Sequence, residues 1–331
     1  MAATANLKSE SVAYAPESRQ TPWNVMGGDL TKGHKSVAAG LEATGLDFEV
    51  SMRPLFGVSE DGVLLEAPSL RTVVRPMPDG TEKVLAATGT RFTPIQNRDA
   101  FAVNDYLVDE FGAKITGLCD FRGGGASLMV LELPESITLD LPGGGKDEVS
   151  LNLLTKNAHD GSSALTFALT PMRLACTNAL PAALRAAKRT WKISHTPNAQ
   201  GRVDLARHAI IASLNYADEF TATAQAMLDQ PMVDREFDKI VERLWKVEDD
   251  KRDTKAGENR IAVQDEVKAL YRTSSTIEGI RGTRWGGYNA VTEWLDWGRP
   301  VRGGDVARAE GALEGPYVRT KAKVWETFAM A

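Results

Sequence analysis

Residues 150–169 constrain the fold more tightly than any other stretch of the chain. An apolar run, SLNLLT, leads into a polar octet, Lys156-Asn157-Ala158-His159-Asp160-Gly161-Ser162-Ser163, and a second apolar run, ALTFAL, follows. Two runs of strand length on either side of a segment rich in Asn, Asp, Gly and Ser read as neighbouring strands of one sheet. Within the octet, Asn157, Asp160 and Ser162 are side chains that bond back to main-chain groups and tie down a tight turn. From Pro171 the spacing becomes helical and the segment turns basic, through Arg173, Arg185, Lys188, Arg189 and Lys192.

Strand signals also dominate upstream. FEVSMRPLFGV, VLLEAP, RTVVRPM and KVLAATG are short runs punctuated by Asp61-Gly62 and Pro78-Asp79-Gly80, both hairpin-type turns. Residues 97–112 switch to helical spacing, with Asn97 as the expected N-cap and Gly112 as the stop. AKITGLCDF and ASLMVLELP then form a second hairpin around Gly123-Gly124-Gly125, which lacks the Lys-Ser/Thr of a phosphate loop. LPGGGKDE at 141–148 is a surface turn. Beyond residue 200 the pattern is amphipathic helix, interrupted by the charged linker EDDKRDTKAGEN. Trp285, Tyr288, Thr292 and Leu295 recur at spacings of three and four, while Trp294 and Trp297 fall off that stripe. The expected fold is α+β: an antiparallel sheet with packed helices over 46–200, then a helical C-terminal region over 201–331. Residues 1–45 read as an N-terminal arm, partly disordered.

With 331 residues and 43% apolar content, a sizeable core is within reach. The two cysteines, Cys119 and Cys176, stand in no metal-type spacing and read as reduced thiols of a cytoplasmic protein. No run is long and apolar enough to span a membrane, and the first 20 residues contain no secretory h-region. The four histidines, His34, His159, His195 and His208, form no close-spaced ligand pair, so neither a metal nor a cofactor is expected.

Charge is unevenly distributed. The net charge is −5, yet residues 171–208 carry seven Arg or Lys against one acid, while residues 218–266 hold fourteen acids and eight bases. On a helix, Arg185, Lys188, Arg189 and Lys192 make a ridge within reach of successive phosphates. Trp191 lies inside that run, and cations interleaved with an aromatic suit single-stranded nucleic acid, where a ring stacks a base. Two other readings stay open. Basic and acidic faces can meet between subunits of a structural or regulatory assembly. His159, Asp160 and Ser162 can serve a hydrolase or nuclease, provided another acid or histidine converges on His159 across a cleft.

The segments RFTPIQNRDAFAVNDYLVDEFGAKI, LLTKNAHDGSSALTFALTPMRLACTNALPAALR, RTWKISHT and GTRWGGYNAVTEWLDW resemble the phage/plasmid-like protein family of unknown function, found on mobile elements and in prophages. The resemblance covers about residues 45–300, and its most specific motifs, T-x-N-A-H-D-G-S-S and C-T-N-x-L, are intact. A mobile-element setting implies DNA replication or recombination. The layout is similar, at the level of the fold, to phage single-strand annealing proteins of the RecT, Red-beta and Erf types, which need no cofactor and assemble into rings or filaments. On that reading the chain binds and anneals single-stranded DNA as a homo-oligomer. Lys156, Arg173, Arg185, Lys188, Arg189 and Lys192 contact phosphates, and Trp191 or Phe167 stacks bases.

Overall fold

The computed structural model describes residues 36–173, 178–179, 190–199, 201, 203, 217–302, 304, 307–308, 311 and 316–330. The chain opens with a short helix, α1 (Val37–Thr44), capped by the Ser36 hydroxyl and tied to the next helix by Val37 N–H donating to Asp105 Oδ1 at 2.8 Å. Three antiparallel strands follow, β1 (Ser51–Val58), β2 (Leu64–Pro76) and β3 (Glu82–Gly89), in the order β1-β2-β3. The runs VLLEAP and RTVVRPM are thus one long strand. Its far end, Val73 and Val74, is buried, whereas the near end is exposed.

Helix α2 (Asn97–Phe111) ends at Gly112, whose φ of 68° places it in the left-handed region that glycine enters without strain. Asn97 is not its cap. Gln96 takes the cap position without a side-chain cap bond, and Asn97 turns inward as the first helical residue. The second sheet contains β4 (Lys114–Phe121), β5 (Ala126–Asp140), β6 (Lys146–Ala158), β7 (Leu165–Arg173), β8 (Asn178–Ala179) and β9 (Thr190–Ile193). All its pairings are antiparallel, in the order β4-β5-β6-β7, with β8 and β9 each pairing part of the outer edge of β7.

The prolines fit this topology. Pro134 sits where the β5–β6 register breaks, between Glu132 and Ser136. Pro171 falls between the stretch of β7 held by β9, which ends at Ala168, and that held by β8, which begins at Met172. A residue with no N–H to donate is tolerated where a ladder is interrupted.

The predicted α+β class holds: a three-stranded and a six-stranded antiparallel sheet, followed by helices. The described C-terminal helices are α3 (Ala217–Asp229), α4 (Asp234–Leu244), α5 (Lys255–Thr273), α6 (Arg284–Glu293) and α7 (Pro316–Ala329). The linker expected before α5 is shorter than its charge pattern implies, because Thr254 caps a helix that already includes Lys255 and Glu258. The expected helix from residue 202 is described only from Ala217 onward.

One core joins sheet and helices across residue 200, from Phe101, Met129, Leu153 and Phe167 to Phe220, Trp285, Tyr288 and Phe328. Trp294 belongs to it, only 6% exposed, edge-on to Trp245 and donating Nε1–H to Glu266 at 2.7 Å. A buried polar joint ties the helices to the sheet. Arg173 Nε donates to Asp147 Oδ2 at 2.7 Å, its Nη1 donates to the Thr276 carbonyl at 2.6 Å, and Trp285 Nε1 donates to Asp147 Oδ2 at 2.9 Å. The opposite face of the sheet has a smaller apolar cluster that includes Cys119, Leu128, Val130, Leu154 and Met172.

Candidate functional site

Alternation along β6 divides the polar octet between the two faces of the sheet. Thr155 and Asn157 point to the helix side, Lys156 and Ala158 to the other. On the helix side, Asn157 enters a buried polar cluster. Asn97 Nδ2 donates to the Leu46 carbonyl at 2.9 Å and to Ser127 Oγ at 3.1 Å, so its Oδ1 needs a donor, and Asn157 Nδ2 supplies one at 3.0 Å. The other Asn157 hydrogen reaches the Ile95 carbonyl at 2.8 Å. With both hydrogens used, the 3.0 Å contact between Asn157 Nδ2 and His159 Nε2 is not a donation from Asn157. His159 therefore carries its proton on Nε2 and donates to the Ile95 carbonyl, also at 3.0 Å.

The N–H of Ile95 is held from the other side. It donates to His195 Nδ1 at 3.3 Å, which fixes that nitrogen as an acceptor and leaves His195 neutral with its proton on Nε2. The Thr93 N–H donates to the His195 carbonyl at 3.1 Å, and the Phe92 ring stacks on the imidazole with centroids 5.0 Å apart. Two histidines thus clamp the peptide groups of Ile95. Burial, reinforced by the nearby His159 and opposed by Asp160, pulls the His195 pKa down to about 4. Burial also lowers that of His159, against the pull of the Ile95 and Gly124 carbonyls.

At the turn itself, Asp160 Oδ1 accepts from the Ser162 N–H at 3.0 Å, the local turn bond expected from the sequence. Arg122, from the β4–β5 turn, donates to Asp160 at 2.7 Å and to Ser162 Oγ at 3.0 Å. Burial raises the Asp160 pKa, but the bonds from Arg122 and Ser162 outweigh it and bring the carboxyl below its ordinary range. His159, Asp160 and Ser162 therefore form no relay. His159 has no exposed surface and faces Ile95, while Asp160 and Ser162 face Arg122. No group of three or more His, Cys, Asp or Glu side chains among the described residues is placed to hold a metal ion.

The expected nucleic-acid contacts fare unevenly. Phe167 is fully buried and so is closed to a stacking base. Arg173 is 3% exposed and engaged by Asp147, so it faces the helices instead of a phosphate. Residues 190–193 form strand β9, not the end of a basic helix, and so Trp191 and Lys192 point to opposite faces. Trp191 is half-buried against the core, and Lys192 is exposed. Arg185, Lys188 and Arg189 lie outside the described residues.

What the sheet brings together is Lys156, Thr166 and Lys192. Lys156 is register partner of Thr166, which in turn is partner of Lys192, so the three form a row across β6, β7 and β9. The row lies on the face away from the helices, with the lysine Cα atoms roughly 10 Å apart, or two strand spacings. Lys156 is half-buried and Lys192 exposed. Thr166 was not expected from the sequence, because its place depends on two strand registers.

No helix among the described residues is long and apolar enough to cross a membrane. No curated protein and no solved structure matches the chain. One family model does, over residues 84–314, a span that takes in the asparagine–histidine cluster and the lysine row but leaves out β1 and β2. By that match, the chain belongs to the family of the domain of unknown function DUF932.

Proposed function

We propose that the protein binds single-stranded DNA through the sheet face opposite its helices, and that it acts in the annealing steps of recombination or replication on mobile DNA. The observation that carries this reading is the row Lys156–Thr166–Lys192 across β6, β7 and β9, of which Lys192 on the outer strand is exposed. In sequence, Lys192 continues directly from Arg185, Lys188 and Arg189. Spaced cations on a sheet face bind a phosphate backbone without reading bases, which is what a protein that pairs arbitrary complementary strands requires. The row has a hydroxyl but no aromatic, so phosphate contacts supply the affinity and binding is independent of sequence. Annealing needs neither nucleophile nor metal.

A mobility-shift assay with a labelled single-stranded oligonucleotide tests the reading. The chain is expected to retard the single strand and to release it as salt rises. Reversing the charges at Lys156 and Lys192, or at Arg185, Lys188 and Arg189, is expected to abolish the shift. An unaltered shift in both variants overturns the proposal.

A further inference from the structure

We infer that Arg122 is a positioning residue of the DNA site, whose guanidinium holds the loop that sets Lys156 and Thr166. The inference rests on the DNA reading and deepens it, since Arg122 acts through that loop and not by touching the strand. Its backbone is the first observation. The β4–β5 hairpin closes over Phe121–Gly124, with the Gly124 N–H donating to the Phe121 carbonyl at 3.2 Å. The two central residues, Arg122 and Gly123, have φ of 54° and 66°. Positive φ at both centres is what a type I′ turn requires, and it favours Asn, Asp or Gly at the first. Among the described residues, Arg122 alone combines a positive φ with a side chain. Backbone strain of this kind persists where the surrounding contacts hold it, and it gathers at working sites.

The contacts of the guanidinium are the second observation. It reaches from this turn to the loop between β6 and β7, where Nε donates to Asp160 Oδ2 at 2.7 Å and Nη2 to Ser162 Oγ at 3.0 Å. The Asp160 N–H donates to the Gly125 carbonyl at 2.9 Å, so these three bonds join the two turns. The held loop continues directly into the row. Lys156 and Thr166 are the last register pair of β6 and β7 before it, and the Thr166 hydroxyl donates to the Ala164 carbonyl at 2.9 Å. Two of the three bonds between the turns belong to the Arg122 side chain. Their loss frees the loop to open locally, and the end of the ladder that carries Lys156 and Thr166 opens with it.

The test uses the full chain with Arg122→Gly, which suits the turn. Its urea midpoint is expected to stay close to that of the wild type, because the relieved backbone offsets a partly exposed ion pair. Hydrogen exchange is expected to quicken over residues 156–166 and nowhere else in the sheet, with no DNA present. Affinity for a labelled single strand should fall about fivefold at about 0.1 M salt, the share of one single-strand phosphate contact. Arg122→Asn, also at ease in the left-handed region, should repeat these results. Arg122→Gly with Asp160→Asn restores the charge balance and should bind as weakly as Arg122→Gly alone. Wild-type affinity in that double variant makes the effect one of charge and overturns the inference. Unchanged exchange over 156–166 overturns it too, whether or not affinity falls. So does a lowered midpoint with exchange quickened throughout the sheet, which makes Arg122 a general structural residue. A wild-type chain that binds no single strand overturns the DNA reading, and the exchange result then tells whether Arg122 holds the loop.

Discussion

His195 shows how one hydrogen bond sets a titration. Its Nδ1 accepts the Ile95 N–H, so protonation would turn two donors against each other in a buried site. The unfolded chain binds a proton near the ordinary value of 6.5, whereas the folded chain binds it only near 4. Between those values the unfolded state carries the extra proton, so stability is full above pH 6.5 and falls on acidification. The expected loss for His195 is on the order of 3 kcal/mol. In His195→Asn the amide oxygen can replace the acceptor without titrating, and the slope of unfolding free energy against pH between 6.5 and 4 should fall by close to one proton. An unchanged slope would place the sensitivity elsewhere. Asn157→Ala should destabilise by about 2–4 kcal/mol, because it leaves Asn97 Oδ1 without its donor and opens a gap beside Ile95. Urea midpoints measure this directly.

Among the elements, the joint between sheet and helices is the most exacting. Arg173 and Asp147 are 4% and 5% exposed at their side chains, and Asp147 also holds Trp285 of α6. Arg173→Met should cost about 3–5 kcal/mol by leaving a carboxylate buried without its cation, and Arg173→Met with Asp147→Leu should recover part of the loss. Denaturant unfolding of the two variants decides it. The hairpins, α2, α4, α5 and α6 were legible in the sequence because their signals are local: period-two or period-3.6 spacing between glycine, proline and aspartate turns. The roles of Asn97, Arg173 and Trp191 were not. Asn97 has the side chain of a cap, but its partners Leu46, Ser127 and Asn157 lie 30 to 60 residues away in sequence. Arg173 carried a charge that read as basic surface, and only the β6–β7 register and the position of Thr276 show it to be internal. Trp191 followed a basic run that suggested a helix, whereas pairing with β7 makes it a strand. In each case a contact distant in sequence overrides a local preference.

At the scale of the whole molecule, the sheet's two faces are built differently. One is filled by the helices, through the core that runs from Phe101 to Phe328. The other carries the smaller buried cluster of Leu128, Val130 and Leu154 and, towards β9, the lysine row, close to the turn where Arg122 and Asp160 hold β4–β5 against β6–β7. The apolar β1–β2 ribbon belongs to the part of the chain that precedes the family match. The role proposed for that row is binding of single-stranded DNA. Fluorescence anisotropy of a labelled single strand, titrated at several salt concentrations with the wild-type chain and with Lys156→Gln/Lys192→Gln, tests it most directly. The account predicts that log affinity falls linearly with log salt, and that the variant binds more weakly with a slope smaller by about 1.4, the loss of two single-strand phosphate contacts. A wild-type chain that does not bind at low salt, or a variant with unchanged affinity and slope, would contradict it.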